Sequence, residues 1–263
     1  MADRRLRLSP RIGRREALAL VGALAVSAPA RARAFGGAGA FHPRLLTSGG
    51  AGLDAVRSTG PSRWAWELVR RTSAPGRIAT SQVAADQPAL LTEPFVIWAG
   101  DKELSPLAGP EIRGLERFLK MGGVLLVDDL APDTGAFGKS ARRELRRVLP
   151  DSSPIALDPS HVVYKSYYIV DRPVGRVKGP PTLEGIVRGR YAQVLLSSHD
   201  LLGALARSRS GSWALEVEPG GVAQREMALR LAVNIAMYVL CSDYKDDQVH
   251  APWLMRRRAR LRP

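Results

Sequence analysis

The segment from residue 95 to residue 129 constrains the fold of this chain more than any other part of the sequence. Residues 95–99 form a continuous apolar run that ends at a glycine, which is typical of a strand buried on both faces. Residues 109–121 have apolar side chains at helical spacing, and a pair of glycines ends this predicted helix. Residues 124–127 form the next apolar run, closed by Asp128-Asp129. Strand, helix and strand in this order predict a βαβ crossover within a parallel sheet.

The remaining body predicts further elements of the same fold class. Residues 184–197 indicate a β-hairpin with a turn at residues 188–190, and residues 151–181 are irregular and dotted with prolines. We therefore predict an α/β fold, a three-layer α/β/α sandwich with a mostly parallel sheet plus a hairpin and an irregular insertion. The other predicted elements are strands at 41–47, 77–83 and 162–170 and helices at 61–71, 139–148 and 223–241.

The first 34 residues have the three-part pattern of an export signal. A polar, arginine-rich start containing Arg14-Arg15 precedes an apolar stretch over residues 17–30, and Ala32-Arg33-Ala34 then supplies small residues at alternate positions. The arginine pair and the modest hydrophobicity resemble a twin-arginine signal. The prediction is that residues 1–34 are removed, that residues 35–250 form a single α/β domain, and that the protein is periplasmic or associated with the cell envelope.

The positive charge lies mostly at the two ends of the chain. The formal net charge is +14, of which residues 1–34 contribute +6 and residues 255–263 contribute +5. The body between them has only +3, which argues against nucleic-acid binding. In the basic C-terminal tail, residues 251–263, Trp253-Leu254-Met255 precedes five arginines. This tail either contacts an anionic membrane surface or is simply solvated.

Three groups of polar side chains directly follow predicted strands. They are Asp101, Asp128-Asp129 and Ser198-His199-Asp200. Ligands gather at the carboxyl ends of parallel strands, so these groups are expected to share one crevice. Asp128, Asp129, His199 and Asp200 are the catalytic candidates, and Asp128, Asp129 and His199 are the candidates for a divalent metal site. The alternative interpretation is structural, because an aspartate after a strand often caps the next helix.

Three other residues are candidates for ligand binding. Asp101 follows the predicted strand 95–99, and His161 lies in the irregular insertion, where it is able to cover the same sheet edge. Arg190 lies in the hairpin turn, and it is also suited to an ion pair with Glu184 across the hairpin. Simple hydrogen-bonded histidines and an exposed ion pair are the structural alternatives.

Several of these segments together resemble a bacterial family described only as domain-of-unknown-function family 4159 (DUF4159). The resemblance covers about residues 40–241. Its pieces are Pro94-Phe95 with Gly100, the run Gly122-Gly123-Val124-Leu125-Leu126-Val127-Asp128-Asp129, His161 followed by Tyr167, Leu183-Glu184-Gly185-Ile186 with Gly189-Arg190, Ser197 with Asp200-Leu201, and Asn234 in the late helix.

This resemblance implies a fold similar to the class I glutamine amidotransferases, which is flavodoxin-like, and it implies no established activity. It also implies envelope partners, because members of the family are often encoded beside MoxR-type ATPases and membrane proteins with von Willebrand A domains. Amidotransferase-like enzymes place a cysteine at the turn after the second strand of such a βαβ unit. Here that turn holds Asp128-Asp129, and the single cysteine, Cys241, lies far along the chain, so cysteine-type glutaminase chemistry is not expected.

Two classes of function therefore stay open. The first is a noncatalytic binding or assembly module of the cell envelope, with no cofactor, on an amidotransferase-like scaffold that lacks the nucleophile. The second is a metal- or carboxylate-dependent hydrolase that uses Asp128, Asp129 and His199. A single cysteine excludes an internal disulfide framework and a cysteine-based zinc cluster in either case.

Overall fold

A mixed sheet lies at the centre of the structure, which is a computed structural model. It describes residues 39–189 and 191–259, with the backbone alone from residue 242 onwards. The predicted signal (1–34), Arg190 and the end of the basic tail lie outside the described residues. In the described part, seven strands pair in the order β2-β1-β3-β4-β7-β6-β5. They are β1 Leu45–Leu46, β2 Gln82–Val83, β3 Phe95–Gly100, β4 Val124–Asp129, β5 Ile155–Ala156, β6 Glu184–Arg188 and β7 Tyr191–Ser197.

The predicted βαβ unit is confirmed. Strands β3 and β4 pair in parallel, from Phe95 opposite Val124 to Gly100 opposite Asp129. The connecting helix is α2, and Gly122 ends the turn after it with a positive φ of 91° that glycine adopts without strain. The helices of the described residues are α1 Gly60–Arg71, α2 Gly109–Lys120, α3 Ala136–Val148, α4 Leu201–Leu205 and α5 Gly221–Ala259.

Helices pack against both faces of the sheet because both faces of its central strands are apolar. Phe95 and Ile97 belong to one buried cluster, which also contains Trp64 of α1 and Ile235 of α5. The alternate residues of β3, such as Trp98, belong to a second buried cluster formed with α2 and α3. Successive side chains of a strand point to opposite faces, so one strand contributes to both clusters.

The sheet is parallel from β2 to β7 and antiparallel at its other edge. β4 and β7 pair in parallel, whereas β6 pairs with β7 and β5 in antiparallel fashion. The predicted hairpin is thereby confirmed, with β6 and β7 as its strands. The fold is an α/β fold with a mostly parallel seven-stranded sheet in the described part of the chain.

Several predicted bounds are corrected by the structure. The strand predicted at 41–47 is reduced to β1, since Phe41 makes only an isolated bridge with Gly76, and the one at 77–83 is reduced to β2. The strand predicted at 162–170 does not form. A 3-10 helix occupies Val162–Tyr164, and the amides of Tyr167 and Tyr168 donate to the Asn234 side chain at 3.1 and 2.7 Å rather than to a strand.

The last helix is longer than predicted. α5 continues beyond Cys241 to Ala259, and residues 242–251 contain no glycine or proline to end it. No helix among the described residues is both long and apolar enough to span a bilayer.

Candidate functional site

The ends of β4 and β7 bring four of the predicted site residues together. Asp128 and Asp129 close β4, and Asp128 lies opposite Ser197 at the end of the neighbouring strand β7. His199 and Asp200 follow directly, and the amide of Asp200 donates to the carbonyl oxygen of Asp129 at 3.2 Å. We call this group, Asp128, Asp129, His199 and Asp200, the carboxyl edge. All four residues are at most 3% exposed, so they are buried rather than open to a crevice.

Asp128 holds the start of α4. One of its carboxylate oxygens accepts a hydrogen bond from the amide of Leu201 at 3.0 Å, and the other accepts one from the amide of Leu202 at 2.9 Å. Burial, together with the nearby charge of Asp200, raises the pKa of Asp128 to about 7, against the lowering effect of the two amides. Both oxygens are therefore occupied by the backbone of a helix N-terminus.

Asp129 performs the same task for the connection from β4 to α3. Its two oxygens accept hydrogen bonds from the amides of Ala131 and Gly138, both at 3.1 Å. A side chain at Gly138 would place its first carbon 2.7 Å from that carboxylate, so the close approach requires glycine. Burial raises the pKa of Asp129, and the same two amides oppose the shift.

Asp200 is the most heavily engaged of the four residues. Its backbone lies in the left-handed region with a φ of 52°, and its side chain accepts the amide of Gly203 at 3.0 Å. Arg57 contacts both carboxylate oxygens, at 2.9 and 2.6 Å, and the Nε of Arg176 contacts one of them as well. Hydrogen bonding to Asp200 is the main reason that the pKa of Arg57 is raised. Sequence reasoning missed both arginines, because neither lies in a recognisable motif and Arg57 is 143 residues away.

His199 is held in the interior by neutral groups. Its Nε2 lies 3.0 Å from the carbonyl oxygen of Pro180, and its Nδ1 lies 3.5 Å from the hydroxyl of Ser197. Burial lowers the pKa of His199, which favours the neutral ring. The ring therefore connects the segment around Pro180 to the end of β7.

Asp101 lies in an open cleft beside the carboxyl edge. This cleft has a volume of about 260 Å³ and is formed by residues 50–54 and 100–103 with Phe137. Asp54 lines it and also contacts Arg57, which links the cleft to Asp200. Asp101 itself is exposed.

His161 lies apart from the carboxyl edge. Its Nδ1 accepts the amide of Val163 at 3.2 Å, and its ring packs 5.8 Å from that of Tyr238 in α5. Its Nε2 is buried and has no hydrogen-bond partner among the described residues. Arg190 lies outside those residues, and Glu184, its predicted partner, forms an ion pair with Arg142 of α3.

The described part of the chain contains no group of three or more histidine, cysteine, aspartate or glutamate side chains placed to hold a metal ion. The carboxylates of the carboxyl edge face backbone amides and arginines instead. These contacts fix the starts of α3 and α4 against the ends of the parallel strands β4 and β7.

The match to known families covers most of the described chain. A family model described as "Domain of unknown function (DUF4159)" matches residues 43–240. The chain belongs to the DUF4159 family. No curated protein matches this DUF4159 chain. The family description names no activity, so the function of this DUF4159 domain has to be argued from its own residues.

Two segments of the DUF4159 resemblance that are distant in sequence meet in the structure. The side chain of Asn234, which is fully buried, accepts the amides of Tyr167 and Tyr168 and donates to the carbonyl oxygen of Tyr168 at 2.8 Å. Tyr238, one turn later in α5, stacks on Tyr191 with ring centroids 5.0 Å apart. Asn234 thus fixes the irregular insertion of this DUF4159 domain to α5.

Proposed function

We propose that this DUF4159 protein is an exported protein of the cell envelope that acts as a noncatalytic binding and assembly module. The proposal rests on the hydrogen bonds and ion pairs that occupy the carboxylates of the carboxyl edge. Asp128 and Asp129 each have both oxygens occupied by backbone amides, and Asp200 faces two arginines and an amide. Carboxylates used in this way cap helices and do not present a free oxygen to a substrate.

The scaffold is proposed to be a three-layer sandwich of the class I glutamine amidotransferase type that has lost its nucleophile. The parallel order of β1, β3, β4 and β7 and the helices on both faces of the sheet support it. Asp128-Asp129, expected at the turn after this strand, are instead the last two residues of β4, so the turn begins at Leu130, and the free Cys241 is exposed on α5. A cysteine nucleophile needs an adjacent base and a place at that turn, and Cys241 has no such place.

The test compares function with the amount of folded protein in cells. Chromosomal Asp128→Asn and His199→Gln variants are scored for the envelope phenotype of a deletion strain, and folded protein is quantified in each. A noncatalytic role predicts that any loss of function follows the loss of folded protein. Wild-type amounts of folded Asp128→Asn protein with the deletion phenotype would overturn the proposal.

The alternative is a metal- or carboxylate-dependent hydrolase that uses Asp128, Asp129 and His199. It is favoured by one observation, the raised pKa of about 7 for a buried Asp128, because catalytic acids often have such a value. Metal analysis of the purified protein after equilibration with Mg²⁺, Mn²⁺ or Zn²⁺ separates the two functions. A stoichiometric metal that disappears in the Asp128→Asn variant would support the hydrolase.

Export by the twin-arginine route is part of the proposal. The Arg14-Arg15 pair, the apolar stretch at 17–30 and the Ala32-Arg33-Ala34 site support it. Amino-terminal sequencing of native protein is expected to find a chain that begins near Phe35, and replacing both arginines of the pair by lysine is expected to keep the protein in the cytoplasm. A mature cytoplasmic protein that retains Met1 would contradict export.

The proposed partners are envelope proteins, namely the MoxR-type ATPase and von Willebrand A domain systems that the family resemblance implies. Reciprocal co-purification with these named partners, using an untagged strain as control, tests this expectation.

A second contact is proposed between the basic tail, residues 251–263, and an anionic membrane surface. Sedimentation with phosphatidylglycerol vesicles should decrease when residues 251–263 are removed, and an unchanged sedimented fraction would argue for a solvated tail.

A further inference from the structure

Arginines make up half of the residues that line a second cavity, which is larger than the cleft beside Asp101. It has a volume of about 440 Å³ and lies between α1, α5 and the segment that follows α4. A volume of this order suits a small ligand. We call it the arginine pocket, and its lining residues that matter here are Arg63, Arg70, Arg71, Arg207 and Arg225, together with Glu67, Glu226 and Trp213.

The arginine pocket is not electrically balanced. Five arginines line it against two glutamates, which leaves three positive charges. Glu67 is already shared between Arg63 and Arg71, and Glu226 is shared between Arg71 and Arg230. Neither carboxylate forms an ion pair with Arg207 or Arg225 among the described residues, although the charge of Glu67 acts on Arg207 from a distance.

Arg207 and Arg225 have no carboxylate partner among the described residues. Arg207 donates to the carbonyl oxygen of Gly211 at 2.8 Å. Arg225 is only 7% exposed, and it donates to the carbonyl oxygens of Ala204 at 2.7 Å and Leu215 at 2.5 Å. Carbonyl oxygens fix the direction of a guanidinium but do not neutralise it, and each guanidinium has five N–H donors. Both side chains thus keep unused donors and a full positive charge.

Three of these guanidiniums converge on one aromatic ring. The Cζ atom of Arg207 lies 3.3 Å from the ring centroid of Trp213, that of Arg225 lies 4.4 Å away, and that of Arg63 lies 5.6 Å away. The indole attracts each cation, while the like charges of the three guanidiniums repel one another. Burial, and then the charge of Arg63, lowers the pKa of Arg207 against the opposing charge of Glu67, and burial followed by the charge of Arg207 lowers the pKa of Arg225. An anion bound among the three would relieve this repulsion.

We propose that the arginine pocket binds the phosphate group of a small soluble molecule, through Arg207 and Arg225 with Arg63 beside them. A phosphate ester offers three terminal oxygens as acceptors and close to two negative charges, which match the two positive charges of Arg207 and Arg225. A carboxylate offers two oxygens and one charge. The proposal goes beyond the noncatalytic role and does not depend on it, because the pocket shares no residue with the carboxyl edge.

Calorimetric titration of the purified full chain with inorganic phosphate tests the proposal. The buffer contains chloride at constant ionic strength and a pH of about 7.5, where phosphate is mostly dianionic. We expect saturable binding in the wild-type protein and none comparable with succinate. The Arg207→Gln variant should bind about tenfold more weakly or worse, because it loses a charge-assisted contact. Arg113→Gln is the matched control, since it removes an exposed arginine from α2 on the other face of the sheet.

A second variant protects the test against misfolding. Arg70 is exposed at the rim of the pocket and stacks on Trp66 at 4.9 Å, so Arg70→Gln should fold normally and weaken phosphate binding by a smaller factor than Arg207→Gln. Circular dichroism confirms the fold of each variant. The absence of saturable phosphate binding to the wild-type protein would overturn the proposal, as would an equal loss in Arg113→Gln and Arg207→Gln.

A further experiment distinguishes a soluble phosphate ligand from a lipid headgroup. Glycerol phosphate in solution and phosphatidylglycerol vesicles carry related phosphate groups. The proposal predicts that the affinity for glycerol phosphate depends on Arg207, whereas sedimentation with the vesicles does not. If Arg207→Gln lost vesicle binding and the wild-type protein did not bind glycerol phosphate, the ligand of the pocket would be a lipid headgroup. This outcome would overturn the proposal of a soluble phosphate.

Discussion

The carboxyl edge and the arginine pocket concentrate charge in opposite ways. At the carboxyl edge, buried carboxylates are balanced by arginines and by backbone amides, and Asp200 alone contacts Arg57, Arg176 and Gly203. In the arginine pocket, Arg207 and Arg225 form no ion pair within the described part of the chain, and their guanidiniums contact carbonyl oxygens and an indole ring.

The difference separates structural charge from functional charge. A buried charge that is fully hydrogen-bonded within the protein holds elements together, and its removal mainly lowers the free energy of unfolding. A cluster of like charges without counterions costs folding energy, and it becomes favourable once a ligand of opposite charge binds. The catalytic and metal candidates derived from the sequence lie at the first kind of site, and the ligand chemistry we propose lies at the second.

Removing the charge of Asp200 is expected to have the largest effect on stability. Asp200→Asn should lower the free energy of unfolding by about 3–5 kcal/mol, because it leaves Arg176 without its buried counterion and Arg57 with only the partly exposed Asp54. Asparagine tolerates the left-handed backbone at this position, so the change reports the lost charge. Urea unfolding measures the effect, with the exposed Asp133→Asn as control. A loss below 1 kcal/mol would show that the carboxyl edge does not depend on its ion pairs.

Asp128 should make the stability depend on pH in a defined direction. Its pKa is raised to about 7 in the folded protein, compared with about 4 in an unfolded chain. Between pH 4 and pH 7 the folded state therefore keeps a proton on Asp128 that the unfolded chain has released. The contribution of this proton to the free energy of unfolding is present below pH 4 and is lost as the pH rises through 7. Asp128→Asn should cost about 2 kcal/mol at pH 5 and less at pH 8.

The comparison with Asp128→Asn also removes the effect of the histidines. His199 has a lowered pKa, so its own contribution changes in the opposite direction, being present above its ordinary pKa and lost as the pH falls. Urea unfolding of both proteins from pH 4 to pH 8 isolates Asp128, since His199 is common to them. A constant difference between the two proteins over this range would contradict the raised pKa.

The fold was largely predictable from the sequence where strands are buried on both faces. Continuous apolar runs with glycine stops predict β3, α2 and β4, and the turn residues predict the hairpin of β6 and β7. The edge strands were not predictable in detail. β1 and β2 have two residues each, and their length depends on pairing partners that are distant in sequence. The failed strand at 162–170 has the same cause, since Asn234 takes the amides of Tyr167 and Tyr168.

The candidate sites were less predictable than the fold. Polar residues after strands predict a shared edge, and the structure brings four of them together, but the hydrogen bonds from amides to their carboxylates depend on the exact register of the chain around them. The arginine pocket has no sequence signature. Arg63 and Arg225 lie 162 residues apart and meet only because α1 and α5 pack on the same face of the sheet.

Removing a charge from the arginine pocket should cost far less than removing one from the carboxyl edge. Arg207→Gln is expected to change the free energy of unfolding by less than about 1 kcal/mol in phosphate-free buffer, because lost stacking on Trp213 is offset by lower repulsion with Arg63 and Arg225. The wild-type protein should also gain more stability from added sodium chloride than the variant does, since salt screens the repulsion.

The control for this comparison is Arg113→Gln, which should respond to salt as the wild-type protein does. Urea unfolding at low and high sodium chloride provides both measurements. A loss of 3 kcal/mol or more in Arg207→Gln would place this arginine in the same class as Arg57 and Arg176, and the contrast between the two regions would then disappear.

The smallest effect is expected at Asp101. It is a strand-end aspartate like Asp128 and Asp200, yet it is exposed in the cleft of about 260 Å³ and forms no ion pair within the described part of the chain. Asp101→Ala should therefore change the free energy of unfolding by less than about 0.5 kcal/mol. Urea unfolding beside Asp200→Asn measures the contrast directly. If Asp101→Ala lowered stability by as much as Asp128→Asn does, the set of structural carboxylates would extend into the cleft, and burial would not be the property that distinguishes the strand-end aspartates.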